Sequence, residues 1–165
     1  MQLKVCAAPA RGPASALPFW RPGAVFARDE SAGPWARRAA AERILLIEDD
    51  FLVASQIEAA LIEAGFEIAG VASSADEAIE LAASQRPLLC VMDIRLAGAR
   101  DGIEAAVEIF KAQGIRCIFA TAHADTEARM RATKAAPLGW LQKPFSMTSV
   151  VAAVRGAVDA LQRRD

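Results

Sequence analysis

The sequence predicts a doubly wound α/β fold: a five-stranded parallel sheet with helices on both faces. Two observations carry this. First, short apolar runs alternate with amphipathic stretches, five times over, from Arg43 to the end of the chain. Such alternation implies a parallel sheet crossed by helices. Second, the runs are continuous rather than alternating apolar and polar, as strands buried on both faces require.

Taken in order, Ile44-Leu45-Leu46-Ile47 reads as the first strand, ending in Glu48-Asp49-Asp50. Val53, Ile57, Ala60, Leu61 and Ala64 then recur at spacings of three and four, a helix stopped by Gly65. Ile68 to Val71 makes a short second strand. Ser74 with Glu77 three residues on reads as a capping box, opening a helix through Ile79 and Leu81 that ends before Pro87. Leu89-Cys90-Val91-Met92-Asp93 is the third strand, with a loop through Gly98 to Gly102. Gly102 to Gln113 follows as a helix with Ile103, Val107 and Phe110 on one face, closed by Gly114. The fourth strand, Cys117-Ile118-Phe119-Ala120, runs into Thr121. Asp125 is the expected cap of a helix to about Ala135. Gly139-Trp140-Leu141-Gln142 is a short fifth strand ending at Lys143-Pro144. Ser146 opens the last helix, with Val150, Val151, Val154, Val158 and Leu161 turned inward. Right-handed crossovers leave few topologies, and the flavodoxin-like order 2-1-3-4-5 is the expected one.

The domain division follows composition. Residues 1–41 carry five of the eight prolines, and neither a helical nor a strand period persists there. They read as an irregular, disordered Pro/Ala/Arg-rich extension, with residues 42–165 as the folded domain. The extension holds six Lys/Arg against two acidic residues; the domain holds thirteen against eighteen. An acidic domain of this kind argues against nucleic acid as a partner. No apolar run is long enough to cross a bilayer. Cys6, Cys90 and Cys117 have no metal-like spacing and suggest a reducing, cytoplasmic setting.

Every strand but the second ends in a group able to do chemistry: Glu48 and Asp49, then Asp93, Thr121 and Lys143. A parallel sheet brings these to one edge, and the first and third strands meet at the switch point. Clustered carboxylates repel unless one is protonated or a cation joins them. A hard divalent ion, Mg²⁺, suits such oxygens. Carboxylates, Mg²⁺, a lysine and a hydroxyl are the parts that stabilise a phosphoryl group in transfer, and an aspartate can itself be the nucleophile.

Residues 43–163 resemble the receiver domain of a two-component response regulator. The resemblance rests on Ile47-Glu48-Asp49-Asp50, Met92-Asp93-Ile94-Arg95-Leu96, Phe119-Ala120-Thr121-Ala122 and Lys143-Pro144-Phe145. It implies that Asp93 accepts a phosphoryl group from a histidine kinase or phosphotransfer protein. Asp49 binds Mg²⁺ directly, Glu48 assists, and Arg95 lends its backbone carbonyl. Thr121 and Lys143 contact the phosphoryl oxygens. The family's usual spacing back from Asp93 selects Glu48 and Asp49, leaving Asp50 as a helix N-cap. The Lys143-Pro144 bond is usually cis in the family.

Thr121, Ala122 and Trp140 fall at the family's switch and output positions, with static packing as the alternative for a ring as large as Trp140. Arg95 and His123 fall where the family tunes access of water to the phosphoryl group. Phe119-Ala120-Thr121 also resembles a subgroup of single-domain receivers carrying Phe-Ala-Thr-Gly, although this chain has Ala122 in place of Gly.

The expectation is therefore a stand-alone receiver, not an enzyme beyond self-phosphorylation and self-dephosphorylation, since the chain stops soon after the fifth helix. It would signal to a protein target through its fourth helix, fifth strand and fifth helix. The alternatives are a docking module that works without phosphorylation and a Mg²⁺-dependent aspartyl-phosphate phosphohydrolase. The latter usually carries a second Asp where this chain has Arg95.

Overall fold

The computed structural model describes residues 42–122 and 126–163. The expected extension, the Asp125 cap and His123 lie outside the described residues. The strands are β1 (Arg43–Ile47), β2 (Glu67–Ala72), β3 (Leu89–Asp93), β4 (Arg116–Thr121) and β5 (Gly139–Gln142). The helices are α1 (Phe51–Glu63), α2 (Ala75–Gln85), α3 (Gly102–Gln113), α4 (Thr126–Ala132) and α5 (Met147–Gln162). A 3₁₀ turn, Thr133–Ala135, follows α4.

All five strands pair in parallel in the order β2-β1-β3-β4-β5, as expected. Successive strand residues point to opposite faces, so each apolar run feeds two cores. On one face Leu45, Ile47, Cys90, Met92, Cys117 and Phe119 pack under α2 and α3. On the other Ile44, Leu46, Leu89, Val91, Ile118 and Leu141 pack under α1 and α5. That division explains why the strands read as unbroken apolar runs.

Helix starts follow local side-chain chemistry. Asp50 caps α1, accepting from the N–H groups of Leu52 and Val53, and Ser146 caps α5 by accepting from that of Ser149. At α2 only half of the expected capping box forms. Ser74 accepts from Glu77 N, but the Glu77 carboxylate turns to the backbone N–H and hydroxyl of Ser73. The complete box sits at α3 instead, between Asp101 and Glu104. The buried side of α3 also differs from the expected face. Ile103, Ala105, Ala106 and Ile109 are buried, while Val107 and Phe110 pack at the core's margin. Small alanines let α3 sit close to the sheet, which pushes the larger residues outward.

Candidate functional site

The strand register builds the site. Ile47 of β1 pairs with Met92 of β3, so the next residues, Glu48 and Asp93, emerge side by side. Asp93 pairs with Ala120 of β4, and Thr121 pairs with Gln142 of β5, just before Lys143. Four elements thus deliver Glu48, Asp93, Thr121 and Lys143 to one carboxyl edge. Lys143 is tied down by its own N–H, which donates to Thr121 O at 2.8 Å. The Lys143-Pro144 peptide is cis, as the resemblance implied.

Glu48, Asp93 and Thr121 are the buried polar side chains among the described residues. Burying ionised carboxylates is costly unless they are paired. Lys143 Nζ supplies the pairing, donating to Asp93 Oδ2 at 2.5 Å and to Glu48 Oε2 at 2.7 Å. Asp93 Oδ1 accepts from Arg95 N at 3.0 Å, which orients the carboxylate. Asp49, exposed to solvent, completes a cluster with Glu48 and Asp93 whose oxygens all lie within 4.8 Å of one another.

Burial pushes the Glu48 carboxyl above the usual range; the Lys143 hydrogen bond opposes this and the Asp93 charge adds to it. Burial would lower the Lys143 pKa, but its hydrogen bonds and charge contacts with Asp93 and Glu48 outweigh this and hold it above its ordinary value. Three carboxylates facing one ammonium leave an excess of negative charge. An exposed carboxylate beside two buried ones, all oxygen donors, fits a hard divalent cation that keeps part of its water. The residues present therefore fit Mg²⁺.

The remaining expected residues take varied places. Thr121 is buried at the end of β4, and Ala122 is exposed just beyond it. Arg95 reaches the site through its backbone, and its residue is exposed. Trp140 lies on β5, paired with Phe119 of β4. Its ring packs on Phe119 at 5.1 Å between centroids, and the Arg129 guanidinium stands 4.7 Å from it.

Gly102 is a site residue that sequence reasoning treated only as the start of a helix. A Cβ there would stand 1.9 Å from the backbone oxygen of Asp93. Only glycine lets α3 begin this close to the strand end. The signal was present in Asp101-Gly102-Ile103-Glu104, a capping box beginning with Asp.

A parallel sheet whose switch point gathers a glutamate, two aspartates and a lysine defines an acidic-site receiver of the doubly wound α/β class. The comparisons agree. The family described as response regulator receiver domain matches residues 44–155, and the chain belongs to it. The transcriptional regulatory protein PdtaR of Mycobacterium tuberculosis is 36% identical over 123 residues, 74% of this chain and 60% of that protein. The chemotaxis protein CheY of Halobacterium salinarum is 35% identical over 122 residues, 73% of this chain and 99% of that protein. The signal receiver domain of a modulated diguanylate cyclase from Desulfovibrio desulfuricans aligns with a TM-score of 0.69 and 29% identity, covering 76% of this chain and 99% of that one. The chain thus spans nearly the whole length of that CheY and less than two thirds of PdtaR. Receiver domains are signalling modules of two-component systems. Among the described residues, no helix is long and apolar enough to cross a membrane.

Proposed function

We propose that this chain is a response regulator receiver that accepts a phosphoryl group on Asp93 and passes the signal on through a protein contact. The observation that supports it is the Lys143 ammonium shared between Asp93 and Glu48, with Asp49 beside them. Glu48, Asp49, Asp93 and the Arg95 carbonyl would hold Mg²⁺, which when bound offsets the charge of the carboxylates and the incoming phosphoryl oxygens.

The donor is a phosphohistidine of a histidine kinase or phosphotransfer protein. An Asp93 oxygen attacks phosphorus, the P–N bond breaks, and the imidazole nitrogen leaves and is protonated. An acyl phosphate results. Lys143 exchanges its bond to Asp93 Oδ2 for one to a phosphoryl oxygen, and the Thr121 hydroxyl supplies a second donor. Drawing Thr121 in shifts the segment leading to α4, and the face of α4, β5 and α5 changes for a downstream partner. Trp140 lies on that face, with Ala122 at its hinge; Arg95 stands two residues after the acceptor, and the family resemblance gives it and His123 the tuning of water access.

Arg95 stands two residues after Asp93, where an aspartyl-phosphate phosphohydrolase carries a second Asp as its acid-base, and this argues against turnover. Residues 42–165 form the receiver, residues 1–41 an extension to it, and the setting is the cytoplasm.

Incubation with acetyl phosphate and Mg²⁺, read by intact mass, tests the proposal. One added phosphoryl group on the unmodified chain and none on Asp93→Asn is the expected result. An adduct that survives in Asp93→Asn would place the chemistry elsewhere. No adduct and no released phosphate would leave a docking module.

A further inference from the structure

Outside the carboxylate cluster, α4 reaches the acceptor strand through charge. Arg131 Nη2 donates to Asp101 Oδ2 at 2.5 Å. Asp101 is the N-cap of α3: its Oδ1 accepts from Glu104 N, and its own N–H donates to Glu104 Oε2. The adjoining Gly102 N–H donates to Ile94 O at 2.9 Å, and Gly102 is the residue pressed against the Asp93 backbone. Arg131 therefore grips a cap that is itself seated on the phosphoacceptor. Arg131 and Asp101 line a cavity of about 380 Å³ together with Thr121, Ile94 and Ala128.

The helix that carries Arg131 has a small apolar footing: Ala128 packs at the core's margin, and the Arg129 guanidinium stands over Trp140. Ala132 is its buried residue among those described, and Met130 is 61% exposed. An element with few buried apolar contacts sits at the low end of local stability. The Arg131–Asp101 ion pair is the contact that ties this helix to the cap beside Asp93.

We propose that Arg131 is a positioning residue for phosphoryl acceptance: its bridge to Asp101 holds α4 against the Asp93 loop and opposes the shift that Thr121 makes on phosphorylation. The proposal rests on the reading of Asp93 as acceptor. A contact made in only one of two states biases the equilibrium by its own strength. Cutting it raises the share of chains ready to take the phosphoryl group. The bridge is part-exposed, so the effect has the scale of a surface ion pair, about two- to fivefold.

The test uses the full chain with acetyl phosphate and Mg²⁺, following the rate of the mass gain. Arg131→Gln and Asp101→Asn are each expected to be about two- to fivefold faster than the unmodified chain, the range of an exposed pair. Asn still accepts from Glu104 N, so the α3 cap survives in that variant. The double variant should be no faster than either single, and Arg131→Lys should stay near the unmodified rate. Arg100→Gln is the control, because Arg100 bridges from the same loop to Asp76 of α2 and Glu108 of α3 rather than to an acid that pairs with α4. An unchanged rate in Arg131→Gln overturns the proposal, as does an additive double variant or an equal effect from Arg100→Gln. If the unmodified chain takes up no phosphoryl group, the functional reading fails and hydrogen exchange over residues 126–132 decides the bridge. Faster exchange in Arg131→Gln supports it, and unchanged exchange overturns it.

Discussion

Lys143 meets two buried carboxylates with one ammonium, and its removal leaves both without that partner. Lys143→Ala is expected to lower the rate of phosphoryl uptake by about 10²-fold, the scale of losing one preorganised donor. The same mass measurement reads it. Glu48 carries a pH signature in the absence of divalent ions. Its folded pKa is raised, so between the ordinary glutamate value and the raised one the folded state binds more protons than the unfolded state. Stability then falls as pH rises through that window. Urea midpoints taken across it should slope downward for the unmodified chain and run flatter for Glu48→Gln. Lys143, also raised, contributes stability that is fully present below its ordinary pKa and is lost as pH climbs through the higher folded value.

At the scale of elements, the first helix start divides three consecutive acids between two tasks. Asp50 caps α1, whereas Glu48 and Asp49 face Asp93. Asp50→Ala should cost about 1 kcal/mol of stability, a typical cap, yet keep the stabilisation by Mg²⁺. Asp49→Ala should keep the cap and lose that stabilisation. Urea unfolding with and without Mg²⁺ separates the two, and the reverse pattern would shift the register of the site by one residue. The start of α3 is bound to Asp93 more tightly. Gly102→Ala places a methyl group where the Asp93 carbonyl oxygen stands, and overpacking of this kind costs about 1–3 kcal/mol. It should lower the urea midpoint and slow phosphoryl uptake together, since α3 cannot recede without moving the strand end.

Across the whole molecule, two apolar layers hold the sheet from both faces, and buried polar chemistry among the described residues is confined to one edge. A ligand that binds only the folded state stabilises it by mass action. Mg²⁺ at a hundred times its dissociation constant should therefore add about 2.7 kcal/mol to unfolding. A thermal midpoint that does not respond to Mg²⁺ would argue that the acidic cluster does not hold the ion.

Much of this was legible in the chain because it is local. A run of Leu89 to Met92 closed by Asp93 needs no knowledge of its neighbours to be recognised as a strand ending in a reactive group. A parallel sheet then brings the strand ends Glu48, Thr121 and Lys143 to the same edge, and the resemblance to the receiver family selects Glu48 and Asp49 from the three consecutive acids. The helix caps at Asp50 and Ser146 follow from the same short-range chemistry, within three residues.

What the tertiary structure decided depends on distances between elements. Whether Glu77 completes its box or turns to Ser73 is set by how the chain enters α2 from the sheet. The face that α3 buries is set by how closely its alanines approach the strands. The press of Gly102 on Asp93 and the reach of Arg131 to Asp101 join residues that no sequence period connects. Periodicity and capping record forces that act within a few residues of backbone. Close approach and long-range pairing arise only once the helices lie on the sheet, so only the folded chain reveals them.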